Sequence, residues 1–262
     1  MQNTITYAVG DVHGRADLLE AVIAHALRDA EKVGAPARFA FIGDVCDRGF
    51  RSRQSFDLVA EIVSEFEGSF LVRGNHDDMY HKAVAGNDRR VTAAWIGRGG
   101  MQTLDSYLIG DPSGAIEIIR TLHNDHLRLV ETAAQCVIEG GIVYSHAGID
   151  PSSAVHSQDA RDLMWIREPF LDHVGLLSHT VVHGHTVVGD LPVVTENRIS
   201  IDTGAYKSGR LSVVAVSDEG FRFFQTDGRA SRVIEIEPVC LDRGYGTVLD
   251  RSKRLADWKL AA

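Results

Sequence analysis

The sequence predicts an α/β fold on two observations. Short apolar runs typical of β-strands alternate with amphipathic helical patterns over the first third of the chain, and short β-rich runs separated by turn residues fill the last third. The 262 residues are 44% hydrophobic and 24% charged, which is ordinary for a folded globular chain and argues against disordered, collagen-like and coiled-coil classes. A chain of this length is expected to form one domain spanning residues 1–262.

The first third of the chain predicts a β-α-β-α-β unit. Strand patterns cover residues 4–9, 39–42 and 70–72, and helical patterns with apolar side chains on one face cover residues 17–30 and 58–66. Such a unit forms a parallel sheet with right-handed crossover connections, and ligands bind at the carboxyl ends of its strands. Functional residues are therefore expected in the loops that follow the three strands.

The remainder of the chain predicts a helical insertion followed by more strands. Residues 85–135 show little strand signal and form the insertion, with helices near 89–96 and 116–130, and a strand is predicted at 137–144. From residue 180 onward, β-rich runs predict a second, largely antiparallel sheet. These runs cover residues 180–182, 192–195, 198–201, 211–217, 221–224 and 233–237.

Charge and residue usage exclude several classes of function. The 27 Lys and Arg against 36 Asp and Glu give a net charge of −9, so neither a nucleic-acid partner nor an acidic membrane surface is expected. No apolar run is long enough to span a membrane and no secretory signal precedes the first strand, so we expect a cytoplasmic protein. The three cysteines are widely spaced and form no Cys-x-x-Cys pair, which argues against a disulfide framework and a thiolate zinc site.

Each of the three early strands is followed by a polar cluster rich in potential metal ligands. The clusters read G-D-V-H-G at residues 10–14, G-D-V-C-D-R-G at 43–49 and R-G-N-H-D at 73–77. Asp44 follows Asp11 by 33 residues and precedes Asn75 by 31, and each interval is one β-α-β step. The three clusters should therefore meet at one edge of the sheet. Their oxygen and imidazole side chains suit divalent first-row metals when no thiolate is available.

Two later loops, S-H-A-G at residues 145–148 and H-G-H-T at 183–186, add further ligand-type side chains. With them, the three clusters resemble the calcineurin-like metallophosphoesterase superfamily, specifically its phosphoprotein phosphatase branch, whose signatures read G-D-x-H-G, G-D-x-x-D-R-G and G-N-H-E/D. The I-D-T-G-A segment at residues 201–205 belongs to the same resemblance, which covers about residues 5–210. It is strongest toward bacterial and phage serine/threonine protein phosphatases, which are similar also at residues 99–100, at residues 163–167 and after His185. It implies an α/β/β/α sandwich of two mixed sheets with flanking helices.

The resemblance implies a centre of two divalent metal ions. The implied ligands are Asp11 and His13 for one ion, Asn75, His146 and His185 for the other, and Asp44 as the bridge between them. Manganese is the expected metal, with iron or zinc as alternatives, because nitrogen and oxygen ligands suit all three. In such a centre a hydroxide that bridges the two ions attacks the phosphoryl group in line.

The resemblance also assigns the groups that handle the substrate. Arg48, Arg73 and Arg167 would bind the non-bridging phosphate oxygens, a role that bidentate guanidinium groups suit. His76 would be the general acid that protonates the leaving alkoxide, and Asp47 would be its hydrogen-bonding partner.

Other interpretations of single residues compete with these roles. Any one of these Asp, Asn or His residues could be an ordinary loop residue, and only their joint occurrence at strand ends favours a site. His183 stands two residues before His185 and competes for its role. His123 and His126 lie three residues apart on a predicted helix, which we interpret as a solvated face, with a surface zinc site as the less favoured alternative. No cysteine has the Cys-x5-Arg spacing of cysteine phosphatases.

Three functions remain open from the sequence. The favoured function is a metal-dependent serine/threonine protein phosphatase acting on a phosphoprotein or phosphopeptide. The alternative is a symmetrical diadenosine tetraphosphate hydrolase that uses the same dinuclear site on a phosphoanhydride. A catalytically silent scaffold is disfavoured because every implied ligand position and the acid histidine are present.

Overall fold

The computed structural model describes residues 4–228 and 232–252, and its strands form two six-stranded sheets. The strands are β1 (Ile5–Val9), β2 (Ala37–Phe41), β3 (Phe70–Leu71), β4 (Cys136–Glu139), β5 (Ile142–Ser145), β6 (Thr180–His183), β7 (Val193–Val194), β8 (Arg198–Ser200), β9 (Ser212–Ser217), β10 (Gly220–Thr226), β11 (Val233–Ile236) and β12 (Val239–Cys240). The first sheet has the order β11-β10-β9-β1-β2-β3, and the second has the order β12-β7-β8-β6-β5-β4.

Both sheets are mixed. In the first, β1, β2 and β3 pair in parallel, whereas β9 is antiparallel to β1 and the β9-β10-β11 pairs are antiparallel. In the second, β5, β6 and β8 pair in parallel, and β4 and β7 pair antiparallel to β5 and β8. The predicted β-α-β-α-β start is thus confirmed as the parallel part of the first sheet.

Helices connect and cover the strands. They are α1 (Ala16–Val33), α2 (Ser52–Glu65), α3 (Asn75–Ala85), α4 (Arg89–Trp95), α5 (Met101–Tyr107), α6 (Pro112–Leu122), α7 (Asn124–Thr132), α8 (Ala160–Trp165), α9 (Glu168–Leu171) and α10 (Ala205–Ser208), with a π-helical turn at Ile96–Gly100 between α4 and α5. Successive side chains along each strand point to opposite faces of the sheet, so a strand can be apolar on both faces.

The two sheets face each other, and helices lie on their outer faces. Along β1, Tyr7 and Val9 share one apolar cluster with Leu18 of α1, whereas Ala8 belongs to a second cluster with Val182 of β6. A third cluster places α8 and α9 on the outer face of the second sheet. The predicted α/β/β/α arrangement of two mixed sheets with flanking helices is therefore confirmed.

The prediction that the strands from residue 180 onward form a second, largely antiparallel sheet is confirmed only in part. β9, β10 and β11 extend the first sheet, and only β6, β7, β8 and β12 of the later strands enter the second. A period-two pattern reports which face of a strand is buried but does not identify the neighbouring strand. The strand predicted at 137–144 is instead the hairpin of β4 and β5, which turns at Gly140 and Gly141 with φ values of 55° and 81°.

Helices fill the chain between β3 and β4. The pattern near 116–130 corresponds to α6 and α7, which are separated at His123. The first helix of this region, α3, begins at Asn75 inside the third polar cluster, so Asn75 and His76 lie in its first turn. Within the described ranges, no helix combines the length and apolar character needed to cross a membrane.

Candidate metal centre

The six implied metal ligands converge at one edge of the sandwich. Each follows the carboxyl end of a strand, which is where ligands bind in sheets of this topology. They are Asp11 and His13 after β1, Asp44 after β2, Asn75 after β3, His146 after β5 and His185 after β6. All are buried except His185, which is half-buried. The sandwich therefore brings ligands from both sheets to a single place.

Asp44 lies in the middle of this group. Its carboxylate oxygens face different imidazoles, since Oδ2 lies 3.4 Å from His13 Nε2 and Oδ1 lies 3.4 Å from His146 Nε2. Asn75 Oδ1 lies 2.9 Å from His146 Nε2 and 3.0 Å from His185 Nδ1. A carboxylate with a separate set of ligand atoms on each oxygen is suited to bridge two ions.

Backbone carbonyls orient two of the imidazoles. His13 Nδ1 donates to the Cys46 carbonyl at 2.8 Å, and His146 Nδ1 donates to the Ile42 carbonyl at 2.7 Å. With the proton on Nδ1, the lone pair of Nε2 points into the cluster, as a metal ligand requires. Burial lowers the pKa of His13 and that of His185 to about 3, so both imidazoles are neutral at pH 7.

The backbone is strained around the same ligands. Among the described residues, the non-glycine residues with positive φ are His13, Asp44, Asp47, Arg48 and His185, all of them in this cluster. Each such residue costs of the order of 1–3 kcal/mol, and strain of this kind concentrates at functional sites. Glycines provide the remaining space, because a Cβ at Gly74 would overlap Asp44 Oδ1 and a Cβ at Gly184 would overlap Asp11 Oδ1.

Three buried carboxylates concentrate negative charge in the cluster. Burial, together with repulsion from Asp202 and Asp44, raises the pKa of Asp11 well above its usual range. Burial and repulsion from Asp44 likewise raise the pKa of Asp202, although its hydrogen bond from the Gly204 amide opposes the rise. Bound cations would compensate this charge. The carboxylate, amide and imidazole donors therefore fit two divalent metal ions.

Asp202 was not among the predicted site residues. It follows β8, which pairs in parallel with β6, and so it reaches the same edge of the sandwich as His185. The I-D-T-G segment at residues 201–204 was the available signal, since it supplies a carboxylate directly after a strand.

A histidine–aspartate pair stands beside the implied metal ligands. His76 Nδ1 donates to Asp47 Oδ2 at 2.7 Å. The fully buried Asp47 carboxylate also accepts hydrogen bonds from Trp95 Nε1 at 2.9 Å and from Thr103 Oγ1 at 2.7 Å. Burial lowers the pKa of His76, but the charges of Asp44 and Asp47 outweigh that effect and raise it overall. The pair can therefore hold a protonated imidazole beside the metal ligands.

Two of the three arginines implied to bind phosphate line a cavity at the centre. The cavity has a volume of about 270 Å³ and is lined by Asp44, Arg48, Asn75, His76, Arg98, Trp165, Arg167 and His185. Arg48 Nη1 lies 2.8 Å from His13 Nε2 and Arg48 Nη2 lies 2.9 Å from His76 Nε2, so the guanidinium stands between the ligand group and the histidine–aspartate pair. Guanidinium groups in this position suit an anionic substrate.

Arg73 lies away from this cavity. Its Nε donates to the Val130 carbonyl at 2.9 Å, its Nη2 donates to the Glu131 carbonyl at 2.7 Å, and its Nη1 lies 3.6 Å from Asp78 Oδ1. A cation at the last carbonyls of α7 stabilises the end of that helix. We therefore leave Arg73 out of the phosphate-binding set, and Arg98, which the sequence interpretation missed, lines the cavity in its place.

His183 and His185 occupy different environments. His183 is buried, its Nε2 lies 2.8 Å from Ser200 Oγ, and its ring packs against Phe170 at a centroid distance of 5.1 Å. His185 instead contacts Asn75 among the ligands and lines the cavity. The geometry therefore favours His185 over His183 as a metal ligand.

Comparisons with known proteins identify a phosphoesterase family. The family model described as calcineurin-like phosphoesterase matches residues 6–189. A serine/threonine-protein phosphatase 2 from Salmonella typhimurium is 28% identical over 215 residues, covering 79% of this chain and 90% of the relative. An asymmetrical bis(5′-nucleosyl)-tetraphosphatase PrpE from Anoxybacillus flavithermus is 25% identical over 228 residues, covering 79% of this chain and 88% of the relative.

Solved structures share the fold at lower identity. A metallophosphoesterase from Sphaerobacter thermophilus superposes with a TM-score of 0.54 at 15% identity, covering 87% of this chain and 89% of the other. A protein serine/threonine phosphatase from Saccharomyces cerevisiae superposes with a TM-score of 0.52 at 15% identity, covering 91% of this chain and 81% of the other. With the family match spanning most of the chain and the strand-end ligands in place, this protein belongs to the calcineurin-like phosphoesterase family.

Proposed function

We propose that the protein is a metal-dependent serine/threonine phosphoprotein phosphatase that hydrolyses phosphomonoesters. The buried His76–Asp47 pair beside Asp44 is the observation that carries the proposal. The alkoxide released from phosphoserine or phosphothreonine is a strong base, so a positioned acid accelerates its departure by about 10²- to 10⁴-fold. The similarity to the Salmonella phosphatase supports the same class of substrate.

The residues in and around the cavity have three separate roles: metal binding, phosphate binding and proton donation. The six strand-end ligands would hold two divalent ions, with manganese expected and iron or zinc as alternatives, and these ions when bound supply an activated water and neutralise phosphoryl charge. Arg48 and Arg167 bind the non-bridging phosphate oxygens from the cavity wall. His76 gives its proton to the leaving oxygen, and Asp47 holds the imidazole in place.

A second candidate is a dinucleoside polyphosphate hydrolase, and the composition of the cavity favours it. Arg48, Arg98 and Arg167 together offer more positive charge than one phosphomonoester requires. Trp165 is 39% exposed beside His185, with ring centroids 6.0 Å apart, so a nucleobase could stack on its free surface. The similarity to the PrpE tetraphosphatases supports this candidate.

We also propose a cytoplasmic location without a nucleic-acid or membrane partner. The net charge of −9 supports this proposal because acidic proteins repel polyanionic surfaces. The thiols of Cys46 and Cys136 are free, as is usual in a reducing compartment.

Rates on two substrates separate the two candidate functions. Phosphate release from a phosphothreonine peptide and hydrolysis of diadenosine tetraphosphate are measured with manganese and after chelation. A higher metal-dependent kcat/KM on the peptide supports the phosphatase. Preference for the dinucleotide supports the second candidate, and its products then distinguish symmetrical from asymmetrical cleavage. Metal-independent activity, or activity on neither substrate, contradicts both, and Asp44→Asn serves as the control for contaminating enzymes.

A further inference from the structure

A second group of metal-ligand side chains lies in the helical layer, outside the centre described above. It consists of Asp57 on α2, His123 between α6 and α7, and His126 on α7. One ligand atom of each residue lies within 4.8 Å of the ligand atoms of the other two. We propose that these three side chains bind one divalent transition-metal ion, with zinc favoured by the two imidazoles and the carboxylate.

The distances among the three side chains are close to those of a tetrahedral site. His126 Nε2 lies 3.0 Å from Asp57 Oδ1, and the ring centroids of His123 and His126 are 5.1 Å apart. Zinc–nitrogen bonds of about 2.0–2.1 Å at a tetrahedral angle place ligand atoms about 3.4 Å apart and imidazole centroids about 5.2 Å apart. The ligand atoms, which all lie within 4.8 Å of one another, would move toward this spacing when an ion binds. Asp125, whose Oδ2 lies 4.0 Å from His126 Nε2, or a water molecule completes the coordination.

His126 is already oriented as a ligand. Its Nδ1 lies 2.6 Å from Tyr107 Oη, and its ring packs against Phe56 at a centroid distance of 5.4 Å. Metal-binding histidines are typically fixed through the nitrogen that does not bind the ion. The interpretation of His126 as part of a solvated helix face is wrong, because its side chain is fully buried and directs only Nε2 toward the exposed Asp57.

An ion at this position would join two parts of the helical layer. Asp57 belongs to α2, whereas both histidines belong to the junction of α6 and α7. α2 begins at Ser52, whose Oγ lies 3.2 Å from the backbone amide of Asp47. The bound ion would therefore stabilise the helix that supports the Asp47 loop, without contributing a ligand to the phosphoesterase centre.

Zinc binding by the wild type and three variants tests this proposal. Equilibrium dialysis against zinc, with the metal quantified by mass spectrometry, gives the number of ions bound per chain. His123→Gln and Asp57→Asn should each bind one ion fewer, or bind that ion at least about tenfold more weakly, because the first loses an imidazole and the second replaces an anionic carboxylate with a neutral amide. His156→Gln removes an exposed histidine outside the group and should match the wild type.

The readout is the difference between variants, so it is independent of how many zinc ions the phosphoesterase centre binds. Asp57 and His123 are exposed or partly exposed, and their variants should keep the wild-type circular dichroism spectrum and manganese-dependent turnover within about twofold. Equal zinc stoichiometry and affinity in the wild type, His123→Gln and Asp57→Asn would overturn the proposal. An equal loss in His156→Gln would overturn it as well, because the binding would then be non-specific.

Discussion

Replacing Asp47 with asparagine should impair protonation of the leaving group while leaving the metal ligands in place. The buried Asp47 carboxylate accepts hydrogen bonds from His76, Trp95 and Thr103 at 2.7–2.9 Å. Asparagine offers one oxygen and one NH₂ group, so at least one of these donors would face another donor. Loss of one hydrogen bond to a charged acceptor costs about 1.5–3 kcal/mol. That cost corresponds to a fall of about 10- to 150-fold in rate.

Two substrates with different leaving groups test whether the fall in rate of Asp47→Asn is due to impaired proton transfer. We expect the full fall in kcat of Asp47→Asn on phenyl phosphate and a much smaller fall on p-nitrophenyl phosphate, whose leaving group departs without a proton. The alkaline limb of the pH–rate profile should also move to lower pH, because Asp47 raises the pKa of His76 and the acid acts only when protonated.

A matched variant controls for the change of Asp to Asn. Asp88 is exposed at the start of α4, where it caps the Arg90 amide, and Asp88→Asn should change neither the ester preference nor the pH profile. Equal losses of Asp47→Asn on both esters, with an unmoved alkaline limb, would refute the assignment of His76 as the acid.

Three further predictions concern the metal centre and the arginines. Asp44→Asn should lower kcat/KM at least about a thousandfold and reduce the metal bound per chain, because the bridge is lost; unchanged metal content and rate would contradict the bridge. Chelation should lower the Tm measured by calorimetry, since an ion at 100 times its Kd stabilises the fold by about 2.7 kcal/mol, or about 5–10 °C; an unmoved Tm would count against the centre. Arg167→Ala should raise KM because Arg167 lines the cavity. Arg73→Ala should instead lower Tm by a few degrees and leave KM unchanged, because Arg73 binds the carbonyls that end α7. A higher KM in Arg73→Ala would return Arg73 to the substrate site.

The convergence of the implied metal ligands was accessible from the sequence because it depends on local patterns. Asp11, Asp44 and Asn75 each follow a strand of the β-α-β-α-β unit, and the parallel pairing of those strands brings them to one edge. The spacing of 33 and 31 residues therefore carried information about distance in space.

Contacts between distant segments were not accessible in the same way. β9 has the apolar character of any buried strand. Its partner β1 lies more than 200 residues earlier in the chain, and nothing in the sequence of β9 identifies that partner. Arg73 stands in a signature cluster, yet its partners are the carbonyls of Val130 and Glu131 far along the chain. Arg98 reaches the cavity from the π-helical turn, whose Gly99 carbonyl accepts the Arg48 amide at 3.1 Å. No local sequence pattern predicts the partners of Arg73 or the position of Arg98.

Anomalous diffraction at the manganese edge from crystals grown with manganese tests the proposed dinuclear centre most directly. We expect two peaks about 3.5–4 Å apart. They should lie on either side of the Asp44 carboxylate, one beside Asp11 and His13 and the other beside Asn75, His146 and His185. A single peak, or peaks that do not share Asp44, would contradict the dinuclear centre on which the proposed phosphatase depends.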